Sequence, residues 1–191
     1  MPNWCKNRLT VIGPSEKIVA FISKAHGEYH HFTPGKYNLF NEESLKKIQG
    51  EDYKTPEQNR KENPQQLSFH QLIPIPDHVM AKEYDPYGID TERRLWGVKW
   101  GSYESELISY KDGQALYEFN TPCGPPNTFL ENVSYEWSDL GFALSFVEEY
   151  PTRGRLLARN GKIAIVANER TPFKGSRNMY YTSHNKWVKT L

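Results

Sequence analysis

The stretch Trp96-Gly97-Val98-Lys99-Trp100-Gly101 sets a lysine between two tryptophans, and its residue types suit recognition. An ammonium group beside indole rings can grip an anion. It can also pair with a carboxylate such as Glu148 or Glu149, the commoner fate of a lysine near apolar surface. A second group stands at the start of the chain, Asn3-Trp4-Cys5, and a third in the turn Thr121-Pro122-Cys123-Gly124-Pro125-Pro126. Trp4, Trp96 and Trp100 are either plugs at the end of a small aromatic core or walls of a ligand pocket. Asn3 and Asn7 suit bonding to exposed backbone at a sheet end more than to a substrate. Cys5 and Cys123, as neighbours, would bind metal or form a redox disulfide. A structural zinc site needs four ligands, so buried free thiols are the expectation and no cofactor is expected. His26, His30 and His31 follow a helix that Gly27 breaks, so their spacing does not secure a metal site either.

No Gly-x-Ser-x-Gly, His-Glu-x-x-His, phosphate-loop or Cys-x-x-Cys motif occurs, and the carboxylates are scattered. The first expectation is therefore a non-catalytic binding module. Its ligand, a host protein or a small molecule, would sit against Asn3, Trp4, Cys5, Trp96, Lys99, Trp100 and Cys123. A second reading uses the basic residues Arg153, Arg155, Arg159 and Lys162, with Tyr180, Tyr181 and Trp187 beyond them, to hold nucleic acid by charge and stacking. The plain alternative is a solvated hairpin, and Gln114 to Thr121 lacks the basic aromatic signature of RNA-recognition sheets. A third reading, an enzyme on a small anionic substrate, rests on Lys99.

Composition narrows these readings. The chain has 191 residues, with 24 Lys and Arg against 23 Asp and Glu. A net charge of +1 gives no general attraction to nucleic acid or an anionic membrane. The hydrophobic fraction is 37% and the aromatic fraction 14%, so the core must be built from few, large side chains. There is no apolar run near the length of a membrane span and no apolar leader, and two cysteines are too few for a disulfide scaffold. A cytoplasmic protein without membrane partners is expected.

The elements that must position these residues follow from periodicity and punctuation. Lys6 to Ile12 reads as a strand ended by Gly13-Pro14. Ser15 is the expected N-cap of a helix carrying Ile18, Val19, Phe21, Ile22 and Ala25, stopped at Gly27. Residues 28–66 form a polar insertion with one short helix, Glu42 to Gln49, and serve as a lid, arm or partner contact. Leu67 to Ile73 alternates as a strand closed by Pro74 and Pro76. Asp77 to Tyr84 is a helical turn, and a short helix runs from Asp90 or Thr91 to Leu95. Glu106 to Tyr110 and Gln114 to Asn120 flank Lys111-Asp112-Gly113 as a hairpin. Pro125-Pro126 open a helix with Phe129, Val133 and Trp137 on one face and Leu130 and Leu140 beside them, ended by Gly141. Phe142 to Tyr150 is a strand, and Arg155 to Arg159 pairs with Lys162 to Ala167 around Asn160-Gly161.

This order is β-α-β-β-α-β, an α+β ferredoxin-like sandwich over residues 1–150, with the insertion at 28–66 and an extra C-terminal β-hairpin and tail, 151–191, packed on the core. Right-handed crossovers put both helices on one face, and the strand order of this plan puts the first strand between the third and the fourth, antiparallel to both. Asn3-Trp4-Cys5, Pro122-Cys123-Gly124, Glu148-Glu149-Tyr150 and Trp96 to Gly101 then gather at one end of the sheet. Cys5 beside Cys123 is the contact that tests this topology.

Four motifs carry a resemblance: Pro2-Asn3-Trp4-Cys5-x-Asn7-x-Leu9, Leu72-x-Pro74-x-Pro76, Trp96-Gly97-x-Lys99-Trp100, and Phe119-x-Thr121 followed by Pro125-Pro126. Together they resemble the YubB-like family with a ferredoxin-like domain, carried by phages, plasmids and bacterial mobile elements. The resemblance spans Met1 to about Tyr150. It implies a cytosolic protein of bacterial or phage origin, a ferredoxin-like core without an iron–sulfur cluster, and no particular activity. Cys123 stands where the family tends to carry Trp. Leu95 and Gly101 flank the tryptophan motif where polar residues are more usual.

Overall fold

The structure, a computed structural model, describes residues 3–27, 64–82, 84–111, 113–149 and 152–170. Its centre is β1 (Trp4–Ile12), in which Cys5, Asn7, Leu9 and Val11 are buried while Lys6 between them is exposed. That alternation is the period of a strand with one face on a core. β1 pairs antiparallel with β3 (Gln114–Pro122) on one side and with β4 (Gly141–Glu148) on the other, so that Leu9 lies between Tyr117 and Leu144. β2 (Tyr103–Lys111), β5 (Thr152–Arg159) and β6 (Lys162–Arg170) complete one six-stranded sheet in the order β2-β3-β1-β4-β5-β6, with every pair antiparallel. The protein is thus a mixed α/β structure, an open antiparallel sheet with helices.

Two aromatic clusters fill the helix side. Phe21 of α1 (Ser15–Ala25) meets Tyr117, Trp137 and Phe142 edge-on, at centroid distances of 6.2, 5.3 and 5.7 Å. Phe69 stacks on Phe129 at 3.7 Å and meets Trp96 and Phe119 edge-on. Burying side chains of this size stabilises the fold by about 2 kcal/mol each. A chain short of aliphatic residues closes its core in this way.

Several local expectations change. Ser15 is the first helical residue, not the cap. Pro14 precedes it with φ −55°, and its carbonyl accepts the Ile18 amide at 3.0 Å. The proline ring presets that entry angle, so no side-chain cap is needed. Leu67 to Ile73 is not a strand but contains one helical turn, α2 (Phe69–Leu72), which buries Phe69 and Leu72 three residues apart. The Ser68 hydroxyl accepts the Gln71 amide, a cap that alternation alone cannot reveal. The next turn, α3 (Asp77–Met80), stops short of Tyr84. A π-helical turn, Tyr84–Gly88, leads into α4 (Ile89–Trp96), which includes Trp96 and ends on Gly97 in the left-handed region. α5 (Asn127–Glu136) ends before Trp137, which packs against the core from a non-helical cap.

Of the polar insertion, residues 28–63 and the helix expected at Glu42 to Gln49 lie outside the described residues. Its closing end is inside the fold, not on the surface. Gln65 is buried, exchanges backbone hydrogen bonds with Gly27 at 2.8 and 3.0 Å, and donates its side-chain amide to the Ser102 carbonyl. The Ser68 amide donates to Ala25 at 2.7 Å. The chain therefore leaves and re-enters the core at one place, beside the end of α1. Among the described residues no helix is long and apolar enough to cross a membrane.

Candidate functional site at the end of the sheet

At the open end of β1 the chain is pinned by polar bonds. Asn7 is buried and donates its side-chain amide to the Cys5 carbonyl at 3.0 Å and to Thr121 Oγ1 at 2.8 Å. Thr121 Oγ1 donates to the Gly124 carbonyl at 2.7 Å, and the Cys123 amide donates to the Asn3 carbonyl at 2.7 Å. The turn after β3 is thus tied to β1 from inside and outside. Asn7 bonds buried groups here, where exposed backbone was expected.

Cys5 lies between Thr121 and Glu148 in the register and is fully buried, with Sγ 3.7 Å from Asn7 Oδ1. Burial, and next the Glu148 charge, push its thiol up to about 12, against smaller opposing hydrogen bonds from Thr121 and Val147. Cys123 is exposed, and both cysteines are free. The register places Trp4 opposite Pro122, so Cys123 falls opposite Asn3, two residues from Cys5. Both thiols are free, as expected, but the expected burial of both is corrected: one thiol enters the core and the other faces out.

The three tryptophans divide by role. Trp96 is fully buried and donates Nε1–H to the Ile73 carbonyl at 3.0 Å, so it is a core plug. Trp4 leaves β1 on the side opposite Cys5 and stacks on Tyr103, with centroids 5.1 Å apart and planes 24° apart. Trp100 is 42% exposed. Its amide donates to Oε2 of Glu92 at 2.8 Å, and Lys99 Nζ sits 4.2 Å from its ring centroid. Lys99 forms no ion pair with Glu148 or Glu149. Ion pairs elsewhere include Arg8–Glu118 and Lys17–Asp139, each at 3.3 Å. The indole face takes the ammonium instead.

A cleft of about 320 Å³ opens here, lined by Arg93, Lys99, Cys123, Gly124 and Glu148 together with backbone of α4's end. Lys99 and Cys123 thus share one cavity. Asn3 and Cys5 border it through backbone bonds and register, Trp100 adjoins Lys99, and Trp96 and Trp4 lie away from it. Tyr150 lies outside the described residues. Glu92, Arg93, Tyr103 and Glu104 belong to this end as well, although no motif marks them. Glu92 is fully buried, yet a glutamate in a short polar helix reads as solvated.

Backbone strain concentrates at the same end. Four non-glycine residues among those described have positive φ, and three of them, Trp100 (67°), Glu104 (50°) and Cys123 (68°), are here. The fourth, Asn160 (50°), precedes Gly161 (70°) in the β5–β6 turn, as the Asn-Gly pair requires. Each such residue costs on the order of 1 kcal/mol unless its surroundings hold it. Glu92 holds Trp100, the Asn120 amide bonds Glu104 at 2.9 Å, and Asn3 holds Cys123.

The basic hairpin is arranged differently from a continuous cationic stripe. Arg153, Arg155 and Arg159 share the side of β5 opposite to Leu156 and Ala158, and Lys162 lies opposite Arg159. Arg155 is only 7% exposed, and burial lowers its guanidinium below the ordinary value. The same side holds a cleft of about 550 Å³ whose lining mixes Lys6 and Arg8 with Glu104, Glu106 and Glu118. Its charge is mixed, and Trp4 and Tyr103 are at one corner.

These features define an open antiparallel α/β protein with a strained, polar-pinned sheet end. No family model matches the chain, and no curated protein matches it. Among solved structures the chain is similar to the crystal structure of a protein api92 from Yersinia pseudotuberculosis, family DUF1281. The TM-score is 0.57 at 10% identity, covering 92% of this chain and 100% of that one. At this identity the likeness concerns the fold alone.

Proposed function

We propose that the chain is a non-catalytic binding module with a ferredoxin-like core, related to the YubB-like proteins of phages, plasmids and bacterial mobile elements and acting in the cytoplasm. Its ligand, a host protein or a small molecule, seats at the sheet end formed by Asn3, Lys99, Trp100 and Cys123. The order of β1 to β4 and the antiparallel placing of β1 between β3 and β4 support the ferredoxin-like reading.

The observation that carries the binding reading is the strained backbone at Trp100. A fold that holds a bulky residue at φ 67°, with a buried carboxylate on its amide, and leaves the indole 42% exposed is presenting that ring. Capture from bacterial lysate by the wild-type chain and by Trp100→Ala, read for proteins and small molecules together, tests it. A ligand kept by the wild type and lost by the variant supports the reading. Equal retention by both overturns it. The nucleic-acid alternative is weaker, because Arg155 is buried and breaks the basic row.

A further inference from the structure

The cleft at the sheet end carries an uneven set of charges. Arg93 stands on the last turn of α4, Lys99 two residues past Gly97, and Glu148 at the end of β4. All three line the same cavity of about 320 Å³. Among the described residues none of the three forms an ion pair, although both signs are present. The ammonium of Lys99 rests instead on the Trp100 ring at 4.2 Å, and the Trp100 amide is fixed by Glu92. The lysine is therefore set in place before any ligand arrives, which lowers the ordering cost of binding. Glu148 lies against the bare backbone of Gly124, its Oε1 3.6 Å from where a side chain there would begin.

We propose that this cleft holds an acidic amino acid, a small molecule with two carboxylates, one ammonium and a short aliphatic stem. The inference rests on the reading of this sheet end as a binding site and names the class of its ligand. The charge count carries it. Two cations and one carboxylate in the lining call for two anionic groups and one cationic group in the ligand. The Arg93 guanidinium suits one carboxylate, which it can hold by two parallel hydrogen bonds. Lys99 takes the second carboxylate, and Glu148 takes the ammonium.

Glu148 also acts against the nearest wrong ligands. A dicarboxylate without an ammonium, or inorganic phosphate, would bring its charge against a carboxylate that has no cation of its own. Val98 and Pro125 line the cleft too and offer apolar contact to an aliphatic stem. The size agrees with the chemistry. Pockets for small ligands run from about 300 to 1,000 Å³, and a cavity at the lower end suits a molecule of amino-acid size.

Isothermal titration calorimetry of the full chain with L-glutamate, glutarate and L-glutamine tests the assignment. Glutarate lacks the ammonium, and L-glutamine lacks the second carboxylate. L-glutamate should bind at one site, and each of the other two should bind about tenfold more weakly, the loss of one charge-assisted contact. Glu148→Gln should abolish the preference for L-glutamate over glutarate, and Arg93→Gln should weaken L-glutamate about tenfold. Neither side chain is in the core, so both variants should keep the wild-type circular dichroism spectrum. No binding of L-glutamate at millimolar concentration, glutarate bound as tightly as L-glutamate, or a preference that survives Glu148→Gln would overturn the inference. Lysate capture that still depends on Trp100 would then show that the ligand class alone is wrong and that the binding site stands.

Discussion

The Cys123 amide donates to the Asn3 carbonyl at 2.7 Å, continuing the β1–β3 ladder one step past the last paired residues, Trp4 and Pro122. That bond fixes which way Cys123 faces. Its backbone is left-handed and its side chain is exposed, while Cys5, two residues along β1, is buried.

The two thiols should therefore differ in reactivity. At mildly alkaline pH a disulfide reagent should modify one thiol of the folded protein quickly, and peptide mapping should find it at Cys123. Cys5 should react only on unfolding, since its thiol is held up at about 12 by burial and Glu148. Two equally fast thiols in the folded chain would contradict the placement of Cys5.

Stability should fall in strong base, with a definite sign. The Cys5 thiol is raised from 9.0 to about 12, so between these values the unfolded chain loses a proton that the folded chain retains. Its contribution is complete below pH 9 and declines as pH rises, at about 1.4 kcal/mol per pH unit. Tyr117, raised by burial from its ordinary 10, adds to the decline at higher pH. Melting temperatures measured across this range should flatten between pH 9 and 10 in Cys5→Ala relative to the wild type.

Asn7→Ala should destabilise the protein by about 2 to 3 kcal/mol, because Thr121 and the Cys5 carbonyl lose a buried partner. Urea titration followed by tryptophan fluorescence measures this. A cost below about 0.5 kcal/mol, the range of ordinary surface changes, would mean that the network does not hold the turn.

Cys123→Gly and Cys123→Val should move stability in opposite directions. At φ 68° glycine relieves backbone strain, whereas a β-branched side chain is a severe outlier. The glycine variant should be neutral or up to about 1 kcal/mol more stable, and the valine variant at least about 1 kcal/mol less stable, in the same titration.

Much of this architecture is legible in local chemistry. Asn160-Gly161 specifies its turn because both positions need positive φ, and Gly113 does the same between β2 and β3. Phe142, Leu144 and Phe146 alternate in the sequence and are buried in β4. The region from Leu67 to Ile73 misleads because seven residues with apolar positions 67, 69, 72 and 73 fit a strand and a helical turn about equally. The Ser68 cap decides between them, and it depends on tertiary packing. The site was legible as a neighbourhood but not as a geometry. Topology brings Lys99, Cys123 and Glu148 to one cleft. Which thiol faces inward depends on a one-residue register, and the burial of Glu92 depends on where α4 packs.

The position of β1 has a bearing on how the protein is made. The neighbours of β1 are β3 and β4, which begin at Gln114 and Gly141, far along the chain from it. A nascent chain must therefore extend past a hundred residues before its first strand finds a ladder to join. Folding of the sheet is held back by the most distant contacts in the sequence, and their loop-closure entropy must be met before any β1 pairing is gained. During that interval Leu9, Val11 and Ile12 are an apolar segment without a partner strand. Chaperones meet β1 in that interval as an exposed segment that the finished sheet holds between two neighbours.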